Sequence, residues 1–152
     1  MTLPIDAGTV ADFRRDGAVC VRQAFSPRMV ALATDAIEAN LAALSPNAKR
    51  ASGNDDGAFI EDFCNWQRIP ELEQFIRASG AARVAAELIG GDGPVRLYHD
   101  HVLVKEPGTR QRTPWHQDIP YYNVAGRLNV SPARISTKAT AQLRTMGIAS
   151  RK

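Results

Sequence analysis

Sulfur and imidazole are both scarce in this chain: two cysteines and three histidines occur in 152 residues. Cys20 and Cys64 lie far apart and form no CxxC pair, which excludes zinc-ribbon and thioredoxin motifs. Their apolar neighbours predict buried free thiols. No apolar run approaches the ~18 residues that a membrane span needs. Met1–Arg15 contains Asp6 and Asp12 and no apolar core of a secretory signal. The expectation is a soluble, cytoplasmic chain with no membrane partner. Acidic residues are missing from Ala133–Lys152, which carries +5 from Arg134, Lys138, Arg144, Arg151 and Lys152. The net charge is +3, so the remainder carries −2. The positive excess belongs to the tail, and no nucleic-acid surface is expected. Internal repeats and low-complexity segments are absent.

What is present is a globular composition, 44% hydrophobic and 23% charged, of a size suited to one domain. Helical signals come first. Phe13 to Phe25 reads as the end of an entry helix, an Asp16-Gly17 turn and a short strand over Ala18 to Val21. Ser26-Pro27 opens a helix, because serine caps an orphan N–H and proline tolerates the first turn. Val30, Ala33, Ile37, Leu41 and Leu44 follow as one apolar stripe. Asn47 to Gly57 reads as a loop, and Phe59 to Trp66 as an aromatic packing segment. Short helices are predicted over Pro70 to Ile76, with Leu72, Phe75 and Ile76 inward, and over Ser79 to Ile89, stopped by Gly90-Gly91. Val95 to Lys105 then alternates as a strand, Glu106 to Pro114 is a polar connection, and Trp115 to Tyr122 resumes an extended run. Helices followed by strands predict an α+β fold.

The chemistry-bearing residues cluster. His99, His101 and His116 fall within 18 positions, with Asp100 and Asp118 beside or near them. On a strand, residues i and i+2 share a face, their backbones roughly 6–7 Å apart. His116 and Asp118 can then converge on one ion as two-thirds of the facial triad of non-haem Fe(II) oxygenases. Alone, that pattern is common. His99 and His101 form a second such pair, and His101 shares its face with Lys105. Antiparallel pairing of the two strands would bring both pairs together.

Two longer stretches are Tyr98-His99-Asp100-His101-Val102-Leu103-Val104-Lys105-Glu106-Pro107-Gly108-Thr109 and Thr113-Pro114-Trp115-His116-Gln117-Asp118-Ile119-Pro120-Tyr121-Tyr122. Together they resemble the phytanoyl-CoA dioxygenase family. Asp16-Gly17-Ala18 and Asn65-Trp66-Gln67-Arg68 are also similar to that family, over roughly residues 10 to 130. The resemblance implies iron(II) and 2-oxoglutarate as cofactor and co-substrate, and hydroxylation of a small organic substrate. His116 and Asp118 would be the first two iron ligands. His101 would lie near 2-oxoglutarate, and Trp115, Tyr121 and Tyr122 would line or flank the substrate pocket. Gln117 would point away from the metal. Lys105 is expected to be solvated at its strand end.

The implied fold is a double-stranded β-helix, here incomplete, with N-terminal helices packed on its sheet. Six further strands need about 55 residues, whereas 34 follow Asp118 and none is a histidine. The third iron ligand and the 2-oxoglutarate-binding arginine are therefore not found. Residues 1–131 read as the N-terminal part of a dioxygenase domain, and 132–152 as an atypical basic tail without aromatics, acids or strand alternation. A reading-frame change near Ser131 is one expectation for it; a genuine tail with a short helix over Thr137 to Leu143 is the other. Three functions stay open: a dioxygenase represented by an inactive portion, a non-catalytic pseudoenzyme or interaction module, and a cupin-like metal site using His99, His101, His116 and Asp118.

Overall fold

The computed structural model describes residues 5–90, 94–116, 120, 128–130, 133–136 and 140–149, the last three segments as strand backbone. Helix α1 (Ala7–Asp16) begins at Asp6, whose carboxylate accepts the Thr9 N–H at 2.7 Å. It ends at Gly17, whose φ of 75° suits glycine and whose N–H reaches the Phe13 carbonyl at 2.8 Å. The strand expected over Ala18 to Val21 does not form; Val19 packs instead against a core of α1 and α4 residues.

Helix α2 (Pro27–Ala42) starts as expected, with the Ser26 hydroxyl accepting the Met29 N–H at 3.3 Å. Its buried face is Ala33, Ala36, Ile37 and Asn40. Leu41 and Leu44, assigned inward by the apolar stripe, are 36% and 45% exposed. The cause lies at Asn40, which takes the inward position so that its amide can donate to the buried Asp62 carboxylate at 2.9 Å. Helices α3 (Pro70–Ala78) and α4 (Ala81–Ile89) follow their predicted spans closely, with Leu72, Phe75, Ala81, Ala85 and Leu88 buried.

The strands are β1 (Lys49–Arg50), β2 (Phe59–Phe63), β3 (Val95–Lys105), β4 (Leu128–Val130), β5 (Ala133–Ser136) and β6 (Thr140–Ala149). They form one antiparallel sheet in the order β1-β2-β3-β6-β4, with β5 also on β6. The α+β expectation holds. The short helix over Thr137 to Leu143 does not, because Thr140–Ala149 pairs along the whole of β3. A ladder is made by backbone groups that every residue except proline supplies, so the tail's composition hides its pairing.

Two apolar cores hold helices to the sheet. Val102 and Val104 of β3 meet Ala33, Ala36 and Ile37 of α2, Leu72 and Phe75 of α3, and Ile69. Val95, at the start of β3, packs with Ala85 and Leu88 of α4. Odd and even positions of one strand thus both reach helices. The register against β6 shifts between Leu97 and His99, so Tyr98 is the extra residue of a bulge and the alternation changes parity there.

Candidate functional site

Past the bulge, β3 has two unlike faces. Asp100, Val102 and Val104 are buried, while His99, His101, Leu103 and Lys105 are half-buried on the other side. His101 lies opposite Phe63 of β2, and the rings stack with centroids 3.9 Å apart and planes 22° from parallel. Phe63 also meets the His99 ring edge-on at 6.0 Å, and the two imidazoles are 6.4 Å apart. His99 and His101 therefore share a face and an aromatic neighbour, as their i, i+2 spacing implied.

Asp100 belongs to the opposite face and has a structural task. Its carboxylate accepts the Asn65 and Trp66 N–H groups at 3.0 and 2.9 Å. Asn65 in turn accepts the Arg68 guanidinium through its side-chain oxygen at 2.8 Å. These bonds build the turn of Asn65-Trp66-Gln67-Arg68 that feeds α3. Asp62 supports the same region from β2. It accepts the Ser45 N–H and hydroxyl, the Asn40 amide and the Phe63 N–H. Burial alone would raise its pKa; the Ser45 donors, with the amides of Asn65 and Asn40, reverse this and hold it down to about 2.

The connection from β3 to His116 is held against the loop before β2. Glu106 donates its N–H to the Ala58 carbonyl at 2.8 Å, and the Thr109 hydroxyl reaches the same oxygen at 3.0 Å. The Asp56 carboxylate accepts the Arg110 N–H at 2.9 and 3.0 Å. Burial opposes its ionisation, but the Arg110 N–H and guanidinium outweigh that and lower its pKa. Gly57 is required where the segments touch, since a Cβ there would sit 2.4 Å from the Thr109 nitrogen. Lys105 donates to the Gln111 carbonyl at 3.1 Å and the Thr113 hydroxyl at 3.3 Å, and its ammonium lies 4.5 Å from the Phe59 ring centroid. Lys105 was expected to be solvated at its strand end; its ammonium stays in an exposed setting and also makes these contacts.

His116 is exposed, with Nδ1 2.8 Å from the Pro114 carbonyl. A proton on Nδ1 puts the lone pair on Nε2, the arrangement that metal-ligating imidazoles adopt through an acceptor behind the ring. The donor chemistry of His116 thus fits a metal. Trp115 is fully exposed. Asp118, Tyr121 and Tyr122 lie outside the described residues. Residues 111–116 are not a strand, and β3 is flanked by β2 and β6 along His101–Lys105, so among the described residues the two histidine segments do not pair. No group of three or more His, Cys, Asp or Glu side chains gathers among the described residues.

Both cysteines are free and exposed, against the expectation of burial. Cys64 has a φ of 61°, forced by the turn that presents the next two N–H groups to Asp100. The contacts made by Asp56, Gly57, Lys105 and Asn40 were not legible in the sequence. The Asp56-Gly57 dipeptide marks a turn, but nothing local told that its partner was 54 positions away.

The family model for phytanoyl-CoA dioxygenase (PhyH) matches residues 13–144. No curated protein and no solved structure matches the chain.

Proposed function

The chain belongs to the phytanoyl-CoA dioxygenase family, and from that membership we propose an Fe(II)- and 2-oxoglutarate-dependent hydroxylase of a small organic molecule. The observation that carries this is the family match, which spans His99–Lys105 and Trp115–Asp118. The Pro114 contact at His116 Nδ1 supports the metal-binding part.

In this reading Nε2 of His116 and the carboxylate of Asp118 hold iron. Bound iron supplies, with 2-oxoglutarate and oxygen, the oxidising chemistry of hydroxylation. His101 would face the 2-oxoglutarate, its ring fixed by the Phe63 stack. The sheet is proposed as one wall of a double-stranded β-helix, with α2 and α3 behind it. Trp115, Tyr121 and Tyr122 are proposed around the substrate. No histidine follows His116 in these 152 residues, so residues 1–152 alone are proposed to bind metal weakly and not to turn over.

Anaerobic Fe(II) titration of the 152-residue chain, with Co(II) as a spectroscopic substitute, tests this. His116→Ala and Asp118→Ala should each weaken binding at least about tenfold; His99→Ala should not. No succinate should form from 2-oxoglutarate. Equal affinity in the wild type and His116→Ala would remove the metal assignment, and succinate formation would remove the statement about turnover.

A further inference from the structure

The segment Lys105-Glu106-Pro107-Gly108-Thr109 is the part of the sequence signature that iron ligation leaves without a role. In the structure it is the root of the connection carrying His116. The near half of that connection is held by backbone geometry. Gly108 turns with φ 84°, and the Thr109 N–H closes on the Glu106 carbonyl at 3.1 Å. Asp56 takes the Arg110 N–H. The far half, from Gln111 to His116, has no ladder, and the Lys105 ammonium ties it to the strand end by reaching the Gln111 carbonyl and the Thr113 hydroxyl.

We propose that Lys105 is a positioning residue for His116: its ammonium folds the returning chain over the end of β3 and so fixes where the imidazole stands. Three features make lysine suitable. Its stem lies half-buried along the strand end, where Phe59 beneath holds the ammonium at 4.5 Å. An ammonium offers three donors and can serve a carbonyl and a hydroxyl together. The two acceptors lie six and eight positions further on, five and three residues short of His116, close enough along the chain to transmit the constraint. The Pro114 carbonyl, which orients the imidazole, directly follows Thr113. Lys105 acts through the chain and does not touch the metal.

This inference rests on the metal role proposed for His116, but its structural half can be measured without metal. The variants are Lys105→Met, which keeps the stem and removes the donors, and Lys105→Arg, which restores them. In the metal-free 152-residue chain, amide order parameters over Gln111–His116 should be near about 0.85 in the wild type. They should fall below about 0.6 in Lys105→Met and recover in Lys105→Arg. Co(II) affinity should drop about tenfold in Lys105→Met, at a melting temperature within a few degrees of wild type, and return in Lys105→Arg. Unchanged order parameters in a folded Lys105→Met chain would overturn the proposal, as would lost order with unchanged Co(II) affinity. If the wild type binds no Co(II), the metal reading fails by itself, and the order parameters still decide whether Lys105 seats the segment.

Discussion

Asp62 shows how one side chain can organise its surroundings. It is fully buried, yet its oxygens collect donors from α2, from the chain after α2 and from its own strand. Charge-assisted bonds of this kind stabilise the ionised form. Replacing Asp62 by Asn presents an amide to donors and should cost about 2 kcal/mol at neutral pH. The pH dependence has a definite sign. The folded carboxyl titrates at about 2, below its ordinary 3.8. Its contribution is therefore complete above pH 4 and is lost as pH falls toward 2. Urea unfolding midpoints from pH 7 to pH 2 should decline over that interval in the wild type and less steeply in Asp62→Asn. Neither Asp62 nor Asp100 announced itself in the sequence. Asp100 sits between two histidines, and adjacency made it look like part of their chemistry. Strand alternation sends it to the other face.

Elements were more legible than their pairings. The α2 start could be read from Ser26-Pro27, and β3 from its alternation, because both signals are local. The apolar stripe of α2 misplaced Leu41, because the choice of inward residue depends on Asp62, 22 positions from Asn40, and Leu44 lies beyond the end of the helix. The connection after β3 is a similar case. Its polar composition marked it as a loop, but its anchorage on Asp56 and Gly57 is long-range. Gly57→Ala would put a methyl group within 2.4–2.7 Å of backbone atoms of Pro107, Gly108 and Thr109. Backbone cannot rotate away as a side chain can, so the loops must part. A loss of about 2 kcal/mol is expected, together with faster hydrogen exchange at the Arg110 amide, whose bond to Asp56 depends on that contact.

For the molecule as a whole, the sheet is closed at one side by the two-residue β1 and extended at the other by β6, β4 and β5. Removing residues 132–152 would strip β6 from one edge of β3 along its whole length, leaving an open edge of eleven residues while β2 still pairs with His101–Lys105 on the other. An exposed edge of that length recruits other chains. Size-exclusion chromatography of the shortened protein should show soluble aggregates where the 152-residue chain elutes at its own size. A reading-frame change near Ser131 would instead make those residues dispensable, and the shortened chain would elute unchanged. The α+β class and the position of the histidine strand were thus readable from composition and period. The place of the tail was not, since main-chain pairing leaves little trace in residue type.

The parity change at Tyr98 bears on how this region can vary in length. Without an extra link, a strand with Val95 toward the helices would also turn His99 and His101 toward them. The bulge absorbs one residue and sends both imidazoles the other way. Losing Tyr98 would straighten the strand and leave inside and outside where they are. Losing any single residue between His99 and Val104 would exchange them for every position between that residue and the bulge, setting Val95's side and the valines' side at odds. Single-residue deletions in this family member are therefore tolerable at the bulge and ruinous a few positions later, a difference that no residue's chemistry at those positions would reveal.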